Sequence, residues 1–209
     1  MKNFTIAMLL SATLSAQPTD RTRALEDYAF STGLQAYVYG YPLVLLAATE
    51  RAFFSSQGMS VNRLAHIPNL STPALRFAVF PNVDTLYSVG WLDLSSGPLW
   101  FHVPKIEGRY YTFQFMDGYT DNFAYVGTRT NGGAAGDYAI LPPHWTGDVA
   151  AGLQRIEAPT PAVWMLGRIL AGEVEDDLRV ARALQRQFTL GRLGDFGKSL
   201  PEPDPVTLR

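Results

Sequence analysis

The chain has no cysteine among its 209 residues. That absence excludes a disulfide scaffold, a thiolate metal site and a cysteine nucleophile together. Charge is also scarce: 17 basic and 19 acidic side chains leave a formal net charge of -2. A chain so near neutrality lacks the field that phosphate backbones need, so bulk nucleic-acid binding is disfavoured. Lysine is confined to Lys2, Lys105 and Lys198, and arginine carries nearly all the positive charge. Histidine occurs only as His66, His102 and His144, with no pair at the spacing of a zinc-protease helix. A hydrolase nucleophile elbow, a phosphate-cradling glycine loop and a dinucleotide fingerprint are all missing. The glycines at 127, 132, 133 and 136 read as hairpin turns. No segment reaches the roughly 20 apolar residues that span a bilayer. What remains is a 47% hydrophobic composition, too apolar for disorder and sized for one globular domain.

The N-terminus reads as an export signal. Lys2 supplies a positive start, Phe4 to Leu14 an apolar stretch, and Ser15-Ala16 the small residues before cleavage. A signal peptide over residues 1–16 sends the remainder to the periplasm or outside the cell. The competing reading is the first turns of a core helix.

After the signal, one domain is expected over 17–193. Helical spacing of Leu25, Tyr28, Ala29, Thr32, Ala36 and Tyr37 predicts a helix over 20–39. Gly40 and Pro42 break it, and a second helix follows over 42–56. Residues 57–75 read as a loop. From 76 to 169, short aromatic and β-branched runs alternate with turn residues. Eight strands are predicted, at 76–80, 86–92, 98–103, 109–116, 122–128, 136–141, 153–157 and 161–168. Tyr111, Phe113 and Phe115 share one face of their strand, and Tyr110, Thr112, Gln114 and Met116 the other. An amphipathic helix follows over 173–189, with Glu175, Asp176 and Asp177 in its first turn, where the helix dipole favours negative charge. Arg179, Arg182 and Arg186 form a solvated stripe, and Glu175 stands four residues before Arg179. Residues 194–209 read as a flexible tail. The fold class is α+β: an antiparallel β-sandwich or open barrel with N-terminal helices and a C-terminal helix.

Two polar bends hold the candidate chemistry. Phe80 to Ser88 contains Asn82, Asp84 and Tyr87; Gln114 to Asn122 contains Asp117, Tyr119, Asp121 and Asn122. If both bends open onto one hollow, Asp84, Asp117 and Asp121 supply acid/base carboxylates or oxygen ligands for a divalent cation such as Ca²⁺, although the spacing is not that of an EF-hand. If they do not, each carboxylate caps its own turn. His66, in a loop near the first bend, is the histidine best placed for catalysis. The dense aromatic set offers a groove for a sugar or another flat ligand.

Several stretches, taken in order, resemble the mostly bacterial family known as domain of unknown function 1254. They are Ala36-Tyr-Val-Tyr-Gly-Tyr-Pro-Leu-Val44, Pro81-Asn-Val-Asp-Thr-Leu-Tyr-Ser88, Leu92-Asp-Leu-Ser-Ser-Gly-Pro98, Gly108-Arg-Tyr-Tyr111, Met116-Asp-Gly-Tyr-Thr-Asp-Asn-Phe123, Val126-Gly-Thr-Arg-Thr130 and Pro161-Ala-Val-Trp-Met-Leu-Gly-Arg168. Pro143-His-Trp-Thr-Gly147 fits a further family segment. The resemblance implies helices beside β-sandwich sheets and no particular reaction. It marks Asn62, His66, Asn82, Asp84, Thr85, Tyr87, Asp117, Tyr119, Asp121, Asn122 and Arg129 as signature polar positions. Family members usually carry a second, 1214-type domain, and this chain stops near the expected boundary. The expectation is an exported small-molecule or glycan binding module, or one half of a protein completed by a separately encoded 1214-type partner or by homo-oligomerisation. The alternative is a periplasmic enzyme, hydrolase-like or metal-assisted, that uses Asp84, Asp117 and Asp121.

Overall fold

The computed structural model describes residues 19–75 and 80–200. The expected signal segment 1–16, most of the predicted strand 76–80 and the end of the tail lie outside the described residues. The chain divides after Tyr41 into two units. In chain order the elements are α1 (Asp20–Gln57), β1 (Leu64–Ile67), β2 (Thr85–Asp93), β3 (Leu99–Val103), β4 (Tyr111–Met116), β5 (Asn122–Gly127), α2 (Thr128–Asn131), β6 (Gly136–Leu141), β7 (Leu153–Glu157), β8 (Ala162–Leu170), α3 (Glu175–Gln185) and β9 (Thr189–Arg192). The α+β class holds. The strands form a five-stranded sheet in the order β1-β2-β8-β4-β5 and a four-stranded sheet in the order β7-β6-β3-β9, not closed into a barrel. The pairings are antiparallel except for β6 with β7.

The core follows the period-2 alternation of the strands. On β4, Tyr111, Phe113 and Phe115 are buried and Thr112 and Gln114 half-buried, as their spacing predicts. On β8, Val163, Met165, Gly167 and Ile169 are buried, while Trp164, Leu166 and Arg168 turn the other way and are half-buried. The two sheets share an aromatic core: the Phe101 ring of β3 meets Phe113 at 4.8 Å and Phe115 at 6.0 Å between centroids, both edge-on. Close packing constrains Gly167, since a Cβ there would overlap the Phe113 ring unless that ring shifted. Gly127 is constrained likewise by the backbone of Tyr111 and Thr112.

Three local expectations are corrected. First, α1 runs through Pro42, where a break is predicted. Proline costs about 3 kcal/mol in a helix interior, but its φ remains helical and the segments on either side are long helix formers. Second, β1 occupies a stretch read as a loop, and β9 begins at Thr189, the last residue of the predicted helix 173–189, in a stretch for which no strand is predicted. Each has four residues, too short for a periodic signal, and each is fixed by pairing with a distant strand. Third, the α3 pairing differs. Glu175 pairs with Arg182 at 2.6 Å, and Arg179 with Asp176 at 3.2 Å. Arg182 is not simply solvated, because its Nε also donates to the Pro68 carbonyl at 2.7 Å. The start of the expected tail is packed: Leu193–Asp195 form a 3-10 turn, and the Phe196 ring meets Trp100 edge-on at 5.6 Å.

Asp177 ties the N-terminus of α3 to the β4 edge. Its carboxylate accepts from both terminal nitrogens of Arg109 and from the Gly172 N–H. The Arg109 guanidinium, then the Gly172 amide, hold the Asp177 carboxyl down at about 2.

Candidate functional site

The two acidic bends do not share a hollow, which corrects the convergent reading. β2 and β4 flank β8 and both run antiparallel to it, so they run parallel to each other. Asp84 precedes β2, and its carbonyl accepts from Ala171 N at 2.9 Å, just past the C-terminal end of β8. Asp117 follows β4, one residue beyond Met116, which pairs with Trp164 near the other end of β8. About eight strand residues at roughly 3.3 Å each separate the two levels, on the order of 25 Å.

Each predicted site residue has a definite place. The buried Asp117 staples its own turn: Oδ1 accepts from Tyr119 N at 2.8 Å and Asp121 N at 3.0 Å. That is the capping role its side chain suits. Asp121 and Asn122 are exposed beside it, and Asp84 is exposed at its own bend. Asn62 clamps β2: its Oδ1 accepts from Asp93 N at 2.8 Å and its Nδ2 donates to the Asp93 carbonyl at 3.1 Å. His66 lies buried on β1, with Nδ1 2.9 Å from Ser88 Oγ. Gln185 Nε2 donates to the same Ser88 Oγ at 3.3 Å and to the Tyr87 carbonyl at 2.8 Å. Burial drives the His66 imidazole down to about 4; the Phe188 carbonyl opposes this and the Arg186 charge adds to it. His66 is therefore neutral at neutral pH and sealed between β1 and α3. Among the described residues, no three His, Asp or Glu side chains gather closely enough to hold a metal ion.

What the structure does assemble lies on the face of the five-stranded sheet away from the aromatic core. Pairing aligns Ile67, Tyr87, Arg168 and Thr112 in one row, and Ala65, Val89, Leu166, Gln114 and Tyr125 in the next. Phe53 of α1 packs on Trp91 at 5.6 Å, and Trp91 stacks flat on Trp164 at 5.1 Å. Beside this stack lies an apolar hollow of about 160 Å³, lined by Phe53, Ile67, Leu75, Val89, Trp164 and Leu166 together with Phe80, Pro81, Ser71, Tyr87 and Arg168. Adjoining it over β4 and β5 is a second hollow of about 330 Å³, lined by Tyr110, Thr112, Gln114, Tyr125, Gly127, Arg129, Thr130 and again Arg168. Neither lining includes a carboxylate.

Arg168 marks the border between the hollows. Its Nη1 donates to Gln114 Oε1 at 2.6 Å, and its guanidinium lies over the Tyr87 ring, 5.5 Å from the centroid. The Tyr87 hydroxyl is itself fixed, accepting from Asn82 N at 2.7 Å. Among the described residues no carboxylate pairs with Arg168. Arg129 stands over the Tyr110 ring at 5.5 Å on the far side of the second hollow. The arrangement is a positioned, half-buried cation with spare N–H donors, an apolar pit on one side and hydroxyl groups on the other. Such a fork matches a carboxylate or phosphate oxygen pair.

Of the predicted residues, Tyr87 and Arg129 line these hollows, and Asn82 braces Tyr87. Arg168 carries the site yet is not among the predicted residues. Its signal is a single charged side chain in the otherwise apolar run 161–170, at an outward position of the alternation.

Comparison with known proteins places the chain in a family. The family model described as "Protein of unknown function (DUF1254)" matches residues 61–192, more than half of the chain, and the chain belongs to that family. Among solved structures, the VPA0106 protein from Vibrio parahaemolyticus is 27% identical with a TM-score of 0.62. The match covers 83% of this chain and 41% of that one. An uncharacterised protein from Burkholderia cenocepacia is 13% identical with a TM-score of 0.39, over 90% of this chain and 47% of its own. The chain thus spans about two-fifths of the length of the Vibrio protein. No curated protein matches it.

Proposed function

We propose that this chain is a noncatalytic module that binds a small anionic ligand on the outer face of its five-stranded sheet. Arg168 is the observation that carries the proposal. A half-buried cation with no protein carboxylate beside it is costly unless something compensates the charge, and the adjoining hollows leave room for an anion to do so. The acid/base alternative loses support, because Asp84, Asp117 and Asp121 line neither hollow. A neutral glycan fits less well, since the pit beside Arg168 is mainly apolar. The test is thermal shift with acetate, benzoate, inorganic phosphate and neutral sugars, on the wild type and on Arg168→Gln. Anions raise the melting temperature of the wild type only. Stabilisation by sugars alone, equal in both proteins, contradicts the reading.

The first unit supports a second element of the proposal, an assembly with a separately encoded 1214-type domain. Tyr28 is 72% exposed, Phe30 74% and Val38 63%. Residues 28 and 30 lie on nearly opposite sides of a helix, so no single face accounts for them. From Tyr28 to Tyr41 the helix carries no charged residue, and a stretch apolar all round is normally a buried one. Co-expression with such a domain yields a one-to-one complex by size-exclusion chromatography with light scattering. A homodimer that ignores the added domain contradicts this element. The N-terminal charge and apolar pattern supports export, which cell fractionation checks; a full-length cytoplasmic product contradicts it. No helix among the described residues is long and apolar enough to cross a membrane.

A further inference from the structure

Resting on the reading of the outer face as an anion site, we infer that its ligand is an amphipathic monocarboxylate whose apolar part has about six carbons. The head group is assigned by Arg168. Gln114 and the Tyr87 ring fix the guanidinium in place, leaving its remaining N–H groups for a carboxylate. The tail is assigned by the neighbouring pit. Phe53, Ile67, Val89, Trp164 and Leu166 surround about 160 Å³ directly beside that cation. An apolar cavity of about 150 Å³ takes one benzene ring, so this pit holds a phenyl group or a short acyl chain and little more. The second hollow brings Arg129 and the hydroxyl-bearing Tyr110, Thr112, Tyr125 and Thr130 around the other side of Arg168. It therefore takes the outer side of the head group and its water rather than the tail.

The experiment is calorimetric titration with a straight-chain series from acetate to decanoate, plus phenylacetate, hexanol and inorganic phosphate. Affinity rises roughly fourfold per methylene up to about six carbons and then levels off, because further methylenes stay in water. Phenylacetate matches the best of the series. Hexanol, which keeps the tail but lacks the head, binds at least tenfold more weakly than hexanoate. Arg168→Gln weakens hexanoate roughly tenfold to a hundredfold. Leu166→Phe, whose ligand-free melting temperature confirms folding, moves the plateau to a shorter chain.

If phosphate and every carboxylate bind alike whatever their tails, and Arg168→Gln abolishes all of them, the tail assignment is overturned while the anion site stands. If hexanol equals hexanoate, the head assignment is overturned. If affinity climbs without a plateau through decanoate, the size limit is overturned. If nothing in the series binds, the proposed function itself falls.

Discussion

His66 ties the stability of the fold to acid in a way that can be worked out from its surroundings. The ring is buried between β1 and α3, and its folded-state pKa is about 4 against an ordinary value of 6.5. The folded protein therefore refuses a proton that the unfolded chain accepts. The stabilisation is complete above pH 6.5, falls by about 1.4 kcal/mol per pH unit through the window down to pH 4, and is then exhausted. The whole difference amounts to about 3 kcal/mol, a large part of the 5–15 kcal/mol typical of a domain. The perturbation is His66→Asn, which cannot titrate but can keep a bond to Ser88 Oγ, the present partner of Nδ1. The assay is urea unfolding followed by tryptophan fluorescence near pH 7.5 and near pH 4.5. At the higher pH the variant is the weaker protein. The gap between variant and wild type closes by roughly 2–3 kcal/mol at the lower pH, because only the wild type loses the His66 contribution. Other acid-labile groups act on both proteins and cancel in the difference. Stability curves that stay parallel across the window would refute the argument.

Further outcomes separate structure from binding. Gly167→Ala costs about 1–3 kcal/mol of unfolding free energy and lowers the denaturant midpoint, because the added methyl displaces the Phe113 ring. An unchanged midpoint shows that the ring has room to move. Asn62→Ala removes two bonds to Asp93 and costs roughly 1–3 kcal/mol while leaving anion binding intact; a selective binding loss returns Asn62 to the site. Asp117→Ala destabilises by about 1–2 kcal/mol through loss of its turn staple, whereas the exposed Asp84→Ala stays within about 0.5 kcal/mol. Neither substitution alters the shift produced by hexanoate, and a lost shift in either restores a carboxylate role.

The strands between 85 and 170 were legible because their aromatic and β-branched runs alternate and are bounded by turn residues. The inward set Tyr111, Phe113 and Phe115 needed nothing more than period-2 geometry. β1 and β9 were not legible, since four residues carry no period and their pairing partners are far along the chain. The placement of the bends failed for a topological reason. Asp84 precedes one strand and Asp117 follows another, and whether those positions meet depends on the relative direction of β2 and β4. That direction is set by the shared partner β8, which joins both only in the folded state. Tyr87 and Arg129 stood out as family-like polar positions, but the residue that joins them is Arg168. Its single charge in an apolar strand was visible, while the partners that give it meaning come from β2 and β4. His66 is expected in a loop, whereas it lies on the short strand β1, buried against Ser88 of β2 and Gln185 of α3.

The most direct measurement of the central claim is an NMR titration that follows arginine side-chain Nε–H signals as hexanoate is added, with Arg168 assigned by its loss in Arg168→Gln. Hexanoate produces a saturable shift at Arg168, a smaller one at Arg129, and none at Arg109, whose guanidinium is already engaged by Asp177. An Arg168 signal that stays still while hexanoate binds elsewhere, or shifts spread evenly over surface arginines, would contradict that claim.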